Sequence, residues 1–260
     1  MPKMSLLLFT WLLAIAVNGQ TKSQKTILGI FAHPDDENMI GPVLAKYARE
    51  GYQVQVIIAT DGKYSPKATN IPEGDSLGRI RRQETICACQ ALGILPPIYL
   101  GIDRLDTRNG VRPYLNGRKQ FLKELQQHIT RIDPDAIITF GPDGEYGHPE
   151  HIVVGAATTE ILLREGWVDK YPLYFLGWKK EQVTDDEDLG YVDAQYLQVA
   201  VRYSDEDASR AIAAEKCYKS QKTAAEMEAL KELLTSEKEK SIYFRKFTAP
   251  ANQKMKNGFF

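Results

Sequence analysis

Cysteine and histidine are both scarce in this chain, and neither sign of charge dominates. There are three cysteines, four histidines and a formal net charge of −1. A near-neutral balance leaves no basic footprint for nucleic acid and no acidic tail. Cys87, Cys89 and Cys217 are too few for a disulfide framework, and a zinc knuckle needs more ligands at other spacings. Cys87 and Cys89 sit two apart in an expected helix and so point to different faces. All three read as small buried hydrophobes, with a single bridge involving Cys217 the alternative in an oxidising compartment. No G-x-G-x-x-G turn follows the first strand, where the chain reads GIFAHPDD. That argues against a nicotinamide-binding enzyme. A P-loop is missing too, as are internal repeats, low-complexity blocks and any linker that would split the chain.

What is present begins at the N-terminus. Met1-Pro2-Lys3-Met4 is a short, weakly basic head, and Leu6 to Val17 is an apolar run broken only by Thr10. The run is short for a bilayer span and is followed by Asn18-Gly19-Gln20, a pattern that reads as a secretory signal peptide over 1–19. An uncleaved anchor is the alternative, and both readings take the protein out of the cytosol, to the periplasm or the medium. No later segment is long and apolar enough to be a membrane helix. With 43% hydrophobic and 26% charged residues, 20–260 suits one soluble domain.

Short apolar strands then alternate with helices. Strands are expected at Thr26 to Phe31, Tyr52 to Thr60, Pro97 to Gly101 and Pro134 to Phe140, and helices at Gly41 to Glu50, Arg79 to Leu92, Arg118 to Arg131 and Pro149 to about Gly166. Further strands are expected at Tyr174 to Trp178 and Tyr196 to Tyr203, with Asp205 to Lys240 largely helical. This alternation is the mark of βαβ units. It predicts a Rossmann-like, three-layer α/β sandwich with a mostly parallel sheet and right-handed crossovers. Ligands of such sheets bind beyond the carboxyl ends of the strands.

Two unusual stretches lie at such ends: Ala32-His33-Pro34-Asp35-Asp36-Glu37 and Tyr146-Gly147-His148-Pro149-Glu150-His151. Alone, each could be helix capping, since proline suits a first helical position and carboxylates suit a helix N-terminus. Together they place three of the four histidines on one edge of one sheet. Zinc accepts imidazole and carboxylate, and a catalytic zinc keeps three protein ligands and one open position. His33, Asp36 and His151 are the expected ligands of one zinc per chain; iron(II) or cobalt would suit the same donors. Asp35 is then left as general base for water. His148 is left to hydrogen-bond an oxyanion or protonate a departing amine.

The pair AHPDDE and GHPEH resembles the signature of the LmbE-like, or PIG-L, family of metal-dependent N-deacetylases. That family includes the N-acetylglucosaminyl-phosphatidylinositol deacetylase and the deacetylases of mycothiol and bacillithiol synthesis. The resemblance runs over roughly 26–160. Thr60-Asp61-Gly62 is similar to the family's loop after strand two, and Arg81-Arg82-Gln83-Glu84 with Gly93 to its R-x-x-E helix. It implies the same ligands, base and oxyanion histidine. It adds Tyr146 near the reacting carbonyl and Arg81 toward the sugar part of a substrate. Glu150 stands where the family usually has Asp, at a non-ligand position. Tyr218-Lys219-Ser220-Gln221 resembles an H-x-S-Q element with Tyr for His.

The resulting expectation is a zinc-dependent hydrolase that removes an N-acetyl group from an N-acetylglucosamine-like substrate, a glycan fragment met outside the cytosol. A zinc amidase for another N-acyl group and a non-catalytic carbohydrate-binding relative are the alternatives. His128 reads as a surface residue. Loops 63–78 and 103–117 would overhang the site, either selecting substrate or serving as solvated connections.

Overall fold

In the computed structural model, residues 24–183, 190–236, 240–251 and 254–258 are described. The expected signal peptide lies outside them. Among the described residues no helix is long and apolar enough to cross a membrane.

The first half follows the sequence pattern closely. Strand β1 (Thr26–Phe31) is buried at every position, as a parallel strand covered on both faces must be. It pairs in parallel with β2 (Gln53–Thr60) on one side and β4 (Ala136–Thr139) on the other; β3 (Ile98–Ile102) extends the sheet beyond β2. Helices α1 (Gly41–Arg49), α2 (Asp75–Leu92) and α3 (Val111–Ile132) cross between these strands. Phe121, Leu125 and Ile129 bury one stripe of α3 at four-residue spacing. Gly93 closes α2 at φ 75°, its N–H reaching the Cys89 carbonyl, a conformation that glycine adopts without cost. Helices α2 and α3 begin earlier than the expected 79 and 118: the first turn of α3 is exposed and that of α2 buries only Leu77 and Gly78, too few to set an apolar periodicity.

After β4 come a one-turn helix α4 (Gly144–Gly147), then α5 (Pro149–Arg164) and β5 (Leu173–Gly177). The complete order is β3-β2-β1-β4-β5-β7-β6. The first five strands are parallel, as expected of a Rossmann-like sandwich, while β7 (Ser241–Lys246) runs antiparallel between β5 and β6 (Val199–Arg202).

The C-terminal part departs from the expectation in three ways. Ala194–Tyr196 is a 3-10 turn, so β6 is shorter than 196–203. The helical stretch is two helices, α6 (Asp205–Glu215) and α7 (Ala224–Ser236), separated by turns. The strand β7 has no counterpart in the sequence reading; its short apolar run follows a charged helical stretch, and periodicity cannot separate such a run from helix.

Strand order reverses between β1 and β4. That switch point opens a crevice at the carboxyl ends of the two strands, and both motifs emerge there.

Candidate metal and catalytic site

His33 and Asp36 leave β1 through a tight turn. Asp35 sits at φ 90°, an uncommon conformation for a non-glycine residue and one that clusters at functional sites. The turn is locked by Asp36, whose Oδ2 accepts hydrogen bonds from the backbone N–H of Ala32 (3.1 Å) and His33 (2.7 Å). From the other side, His148 caps α5 and His151 lies in its first turn, stacked on Phe140 at 3.9 Å between ring centroids.

The hydrogen-bond pattern fixes what each imidazole presents. His33 Nε2 lies 2.6 Å from Glu150 Oε2. Glu150 Oε1 also accepts from the Leu105 N–H at 2.5 Å. Burial opposes ionisation of Glu150, but the His33 hydrogen bond holds its carboxyl below the usual range. As an ionised acceptor it places a proton on His33 Nε2 and leaves Nδ1 toward Asp36 Oδ2, 3.5 Å away. His151 Nδ1 faces the Gly144 carbonyl at 3.2 Å, so its proton is there. Its Nε2 is buried without a hydrogen-bond partner and lies 3.3 Å from Asp36 Oδ1. Two imidazole lone pairs thus face the two oxygens of one carboxylate. Such an arrangement requires a cation, either a proton or a metal.

The titration of His33 reports the same demand. Burial works against its charge, yet Asp36 and Glu150 raise its pKa to about 9. Asp36 is held well below the usual carboxylate range by His151 and His33, against its own burial. His148 goes the other way: burial and the neighbouring His33 and His151 push it down to about 4. His33, His148 and His151 bring ring nitrogens within 4.8 Å of one another, a grouping that could hold a metal ion. His148 Nδ1, however, accepts the Glu150 N–H at 3.3 Å. In neutral His148 the proton is then on Nε2, making that atom a donor rather than a ligand.

Asp35 is gripped on both oxygens. Arg81 reaches Oδ1 at 3.2 Å and Lys222 reaches Oδ2 at 3.5 Å. Arg81 also donates to the Gly62 carbonyl at 2.8 Å and the Pro34 carbonyl at 2.7 Å. A side chain on Gly62, which has φ +64°, would overlap that guanidinium. Arg81 lines the crevice, but at 2% exposure it is engaged with the Asp35 loop rather than extended into the open space. Tyr146 stands 45% exposed at the mouth, its ring 5.3 Å from that of His151. Burial raises its phenol pKa, so it stays a neutral donor.

Two residues in this assembly carry more weight than the sequence reading gave them. Glu150 orients His33 through the imidazole–carboxylate pairing common around metal ligands. Lys222 lies one residue beyond the Tyr218-to-Gln221 element. That element is pinned by a Tyr218–Glu37 hydrogen bond and by Ser220, whose N–H and Oγ both bond Glu84. Only a fold that returns the chain to β1 could disclose Lys222.

The crevice, about 410 Å³, is walled by the two loops expected to overhang it. Tyr64 donates to Asp103 across the gap, and Arg104 lies 4.7 Å over the Tyr64 ring. Loop 103–117 shortens to 103–110 because α3 starts at Val111. His128 stays on the surface of α3 beside Arg131. For the cysteines the alternative holds: Cys217 forms a single bridge, with Cys87, and Cys89 alone is a free buried thiol.

A parallel-sheet α/β protein with a histidine–carboxylate cluster at its switch point is the class these features define. The model of the PIG-L family, GlcNAc-PI de-N-acetylase, matches residues 28–162. The chain belongs to that family. It is similar to a 1D-myo-inositol 2-acetamido-2-deoxy-alpha-D-glucopyranoside deacetylase of Rhodococcus erythropolis, 33% identical over 159 residues, which make up 55% of this chain and 54% of that protein. The chain thus spans about half the length of the curated relatives it matches. In fold it is similar to the N,N'-diacetylchitobiose deacetylase of Pyrococcus horikoshii, at TM-score 0.64 and 19% identity over 87% of this chain and 85% of the other. The zinc-inhibited form of teicoplanin deacetylase Orf2 is similar at TM-score 0.65 and 16% identity, over 88% and 100%.

Proposed function

We propose that this protein is a zinc-dependent N-deacetylase acting on an N-acetylglucosamine-like substrate. The observation that carries it is the pair of imidazole lone pairs, His33 Nδ1 and His151 Nε2, turned onto the two oxygens of Asp36. These three residues would hold the ion, and Glu150 and the Gly144 carbonyl keep the two rings in the correct tautomer. When bound there, zinc would polarise the amide carbonyl and bring the pKa of water to about 7. Asp35, held by Arg81 and Lys222, takes the proton of the attacking water. His148 presents Nε2–H to the oxygen on which negative charge develops, and its neutrality near pH 7 suits a donor to an anion. Tyr146 adds a second donor at the mouth. The proton held by Asp35 then passes to the departing amine, which leaves with acetate as the second product.

Sugar recognition falls to the polar wall of Tyr64, Asp103, Arg104 and Arg108. The relatives' amino-sugar substrates agree with such a wall. An exported location is part of the same reading. The Cys87–Cys217 disulfide supports it, since such bonds persist in oxidising compartments, and so does the apolar run from Leu6 to Val17. N-terminal sequencing of fractionated native protein tests the location, with an intact Met1 on cytosolic protein against it. The activity is tested by fluorescent detection of free amine from N-acetylglucosamine and N,N'-diacetylchitobiose. Release that a chelator abolishes and zinc restores is expected; release indifferent to metal would refute the mechanism.

A further inference from the structure

A second cavity lies against the reverse side of Asp35. It measures about 160 Å³ and shares Asp35, Met39 and Lys222 with the main crevice. Its remaining wall is mixed: Asn38, Gln182, Glu215 and Ser241 line it beside a larger apolar share. Leu230, Leu233 and Leu234 present one face of α7 at helical spacing, and Trp178, Tyr203 and Ile242 close the sheet side. Nothing in the activity proposed above uses this chamber. Leu233 remains 46% exposed, so α7 carries apolar surface beyond what its own packing covers. The second cavity is therefore the more apolar of the two, and they share a wall at Asp35. The crevice of tyrosine, arginine and carboxylate side chains suits a hydroxylated sugar, and the chamber suits a hydrocarbon.

We propose that the chamber is the acyl subsite of the same reaction, accepting an N-acyl chain of about six carbons, since an apolar cavity near 150 Å³ holds a benzene-sized guest. The inference rests on the deacylase reading above and narrows it from acetyl to a longer acyl group. The amide carbon sits where the cavities meet, beside Asp35. The sugar nitrogen lies on the polar side and the alkyl chain passes Met39 toward α7. Water attacks the amide carbonyl as before, the C–N bond breaks, the amine takes the proton, and a short-chain carboxylate leaves. Trp178 Nε1 and Asn38 Oδ1, both on wall residues, are buried without partners, so a hydroxyl on the chain is accommodated.

The test is a substrate series on the zinc-loaded full chain: N-acetyl-, N-butyryl-, N-hexanoyl- and N-decanoylglucosamine, read as kcat/KM by released amine. From acetyl to hexanoyl a rise of at least about tenfold is expected, a fraction of what burying four methylenes yields, with a fall at decanoyl. Leu233→Trp, on an exposed helix position, fills the chamber. It should remove the hexanoyl preference and leave acetyl hydrolysis unchanged. Direct binding of hexanoate, followed by ligand-observed NMR, should be lost in the same variant. A kcat/KM flat or falling with chain length, acetyl being hydrolysed, overturns the acyl subsite and leaves the deacetylase reading standing. If no N-acylglucosamine is hydrolysed, the deacylase reading fails instead. Hexanoate binding then decides the chamber: indifference to Leu233→Trp overturns it, and loss in that variant supports an apolar-tail site.

Discussion

The two ends of the sheet do different work. From β1 to α5 the chain supplies every group proposed to hold metal or move a proton, all at the carboxyl ends of β1 and β4. From β5 onward it supplies none of these. Instead it returns an antiparallel strand to the sheet, packs α6 against α1 and α2, and sends Gln221 and Lys222 across the top of Asp35. The family model stops at residue 162, near the boundary between these regions. The comparison teaches that chemistry here is local, built from two short motifs. Of the two cations that hold Asp35, Arg81 belongs to the first region and Lys222 comes from a part of the chain more than a hundred residues away.

The largest effects should follow from breaking the first region. His151→Ala removes the buried Nε2 that faces Asp36, and we expect loss of bound zinc by elemental analysis and of detectable hydrolysis. Full metal content in that variant would remove His151 from the ligand set. Asp35→Asn should keep the metal and lower kcat by about 10²- to 10⁴-fold, the usual span for a positioned acid or base. Lys222→Met sharpens the contrast. It removes one of two cations holding Asp35, so metal content should stay full and kcat should fall less than in Asp35→Asn. Equal losses in the two variants would mean that Lys222 does more than position the base.

Legibility followed the same division. β1 was placed to the residue because a strand buried on both faces reads as one apolar run between polar breaks. The two motifs were visible because histidine is rare in the chain and both stand at strand ends. Glu150 looked like a bystander, since sequence spacing cannot show that α5 turns its side chain back to His33. Lys222 and β7 were hidden for a shared reason: each acts through contacts distant in sequence. The disulfide stood only as an alternative, and its partner was not legible, because Cys87 and Cys217 lie 130 residues apart and composition gives no pairing between α2 and the turn after α6.

That bond tests whether the second region is held independently of the site. A disulfide typically stabilises by about 2–4 kcal/mol, chiefly through the unfolded chain. Cys87→Ser with Cys217→Ser should lower the unfolding free energy from denaturant titration by that amount, with zinc content unchanged. Loss of zinc would show that the tether supports the ligands after all. In the metal-free protein, His33 makes stability depend on pH. Its folded pKa of about 9 lies above the unfolded 6.5, so the protonated form is favoured in the fold. The contribution is complete below 6.5 and vanishes as pH rises through about 9. Tm of chelated protein should fall over that window, and zinc should abolish the dependence by replacing the proton. A flat profile in chelated protein would contradict the pairing of protonated His33 with Asp36 and Glu150.

The smallest expected effect lies wholly in the second region. Asp207 is buried in the first turn of α6, where Ser204 and Asp207 form a reciprocal cap: the Asp207 N–H reaches Ser204 Oγ at 3.3 Å, and Asp207 Oδ2 accepts the Ser204 N–H at 2.9 Å. The same carboxylate takes Arg49 of α1 on both oxygens, at 2.9 and 3.0 Å. Burial opposes its charge, but Arg49 and the Ser204 bonds bring its pKa to about 2 from 3.8. A depressed carboxylate stabilises fully above the unfolded value and loses that contribution as pH falls through the folded one, here between about 4 and 2. Ser204→Ala should cost about 1 kcal/mol at neutral pH, the usual value of a helix N-cap, while leaving the Arg49 pair in place. Asp207→Asn should remove the acid-sensitive component below pH 4, measured as the slope of Tm against pH. Neither change should alter zinc content or kcat, because Ser204 and Asp207 lie at the opposite end of α6 from Glu215, which accepts a hydrogen bond from Asn38 and lies 3.7 Å from Lys222. A kcat that falls with Ser204→Ala would show that anchoring α6 sets the position of Lys222, and through it that of Asp35.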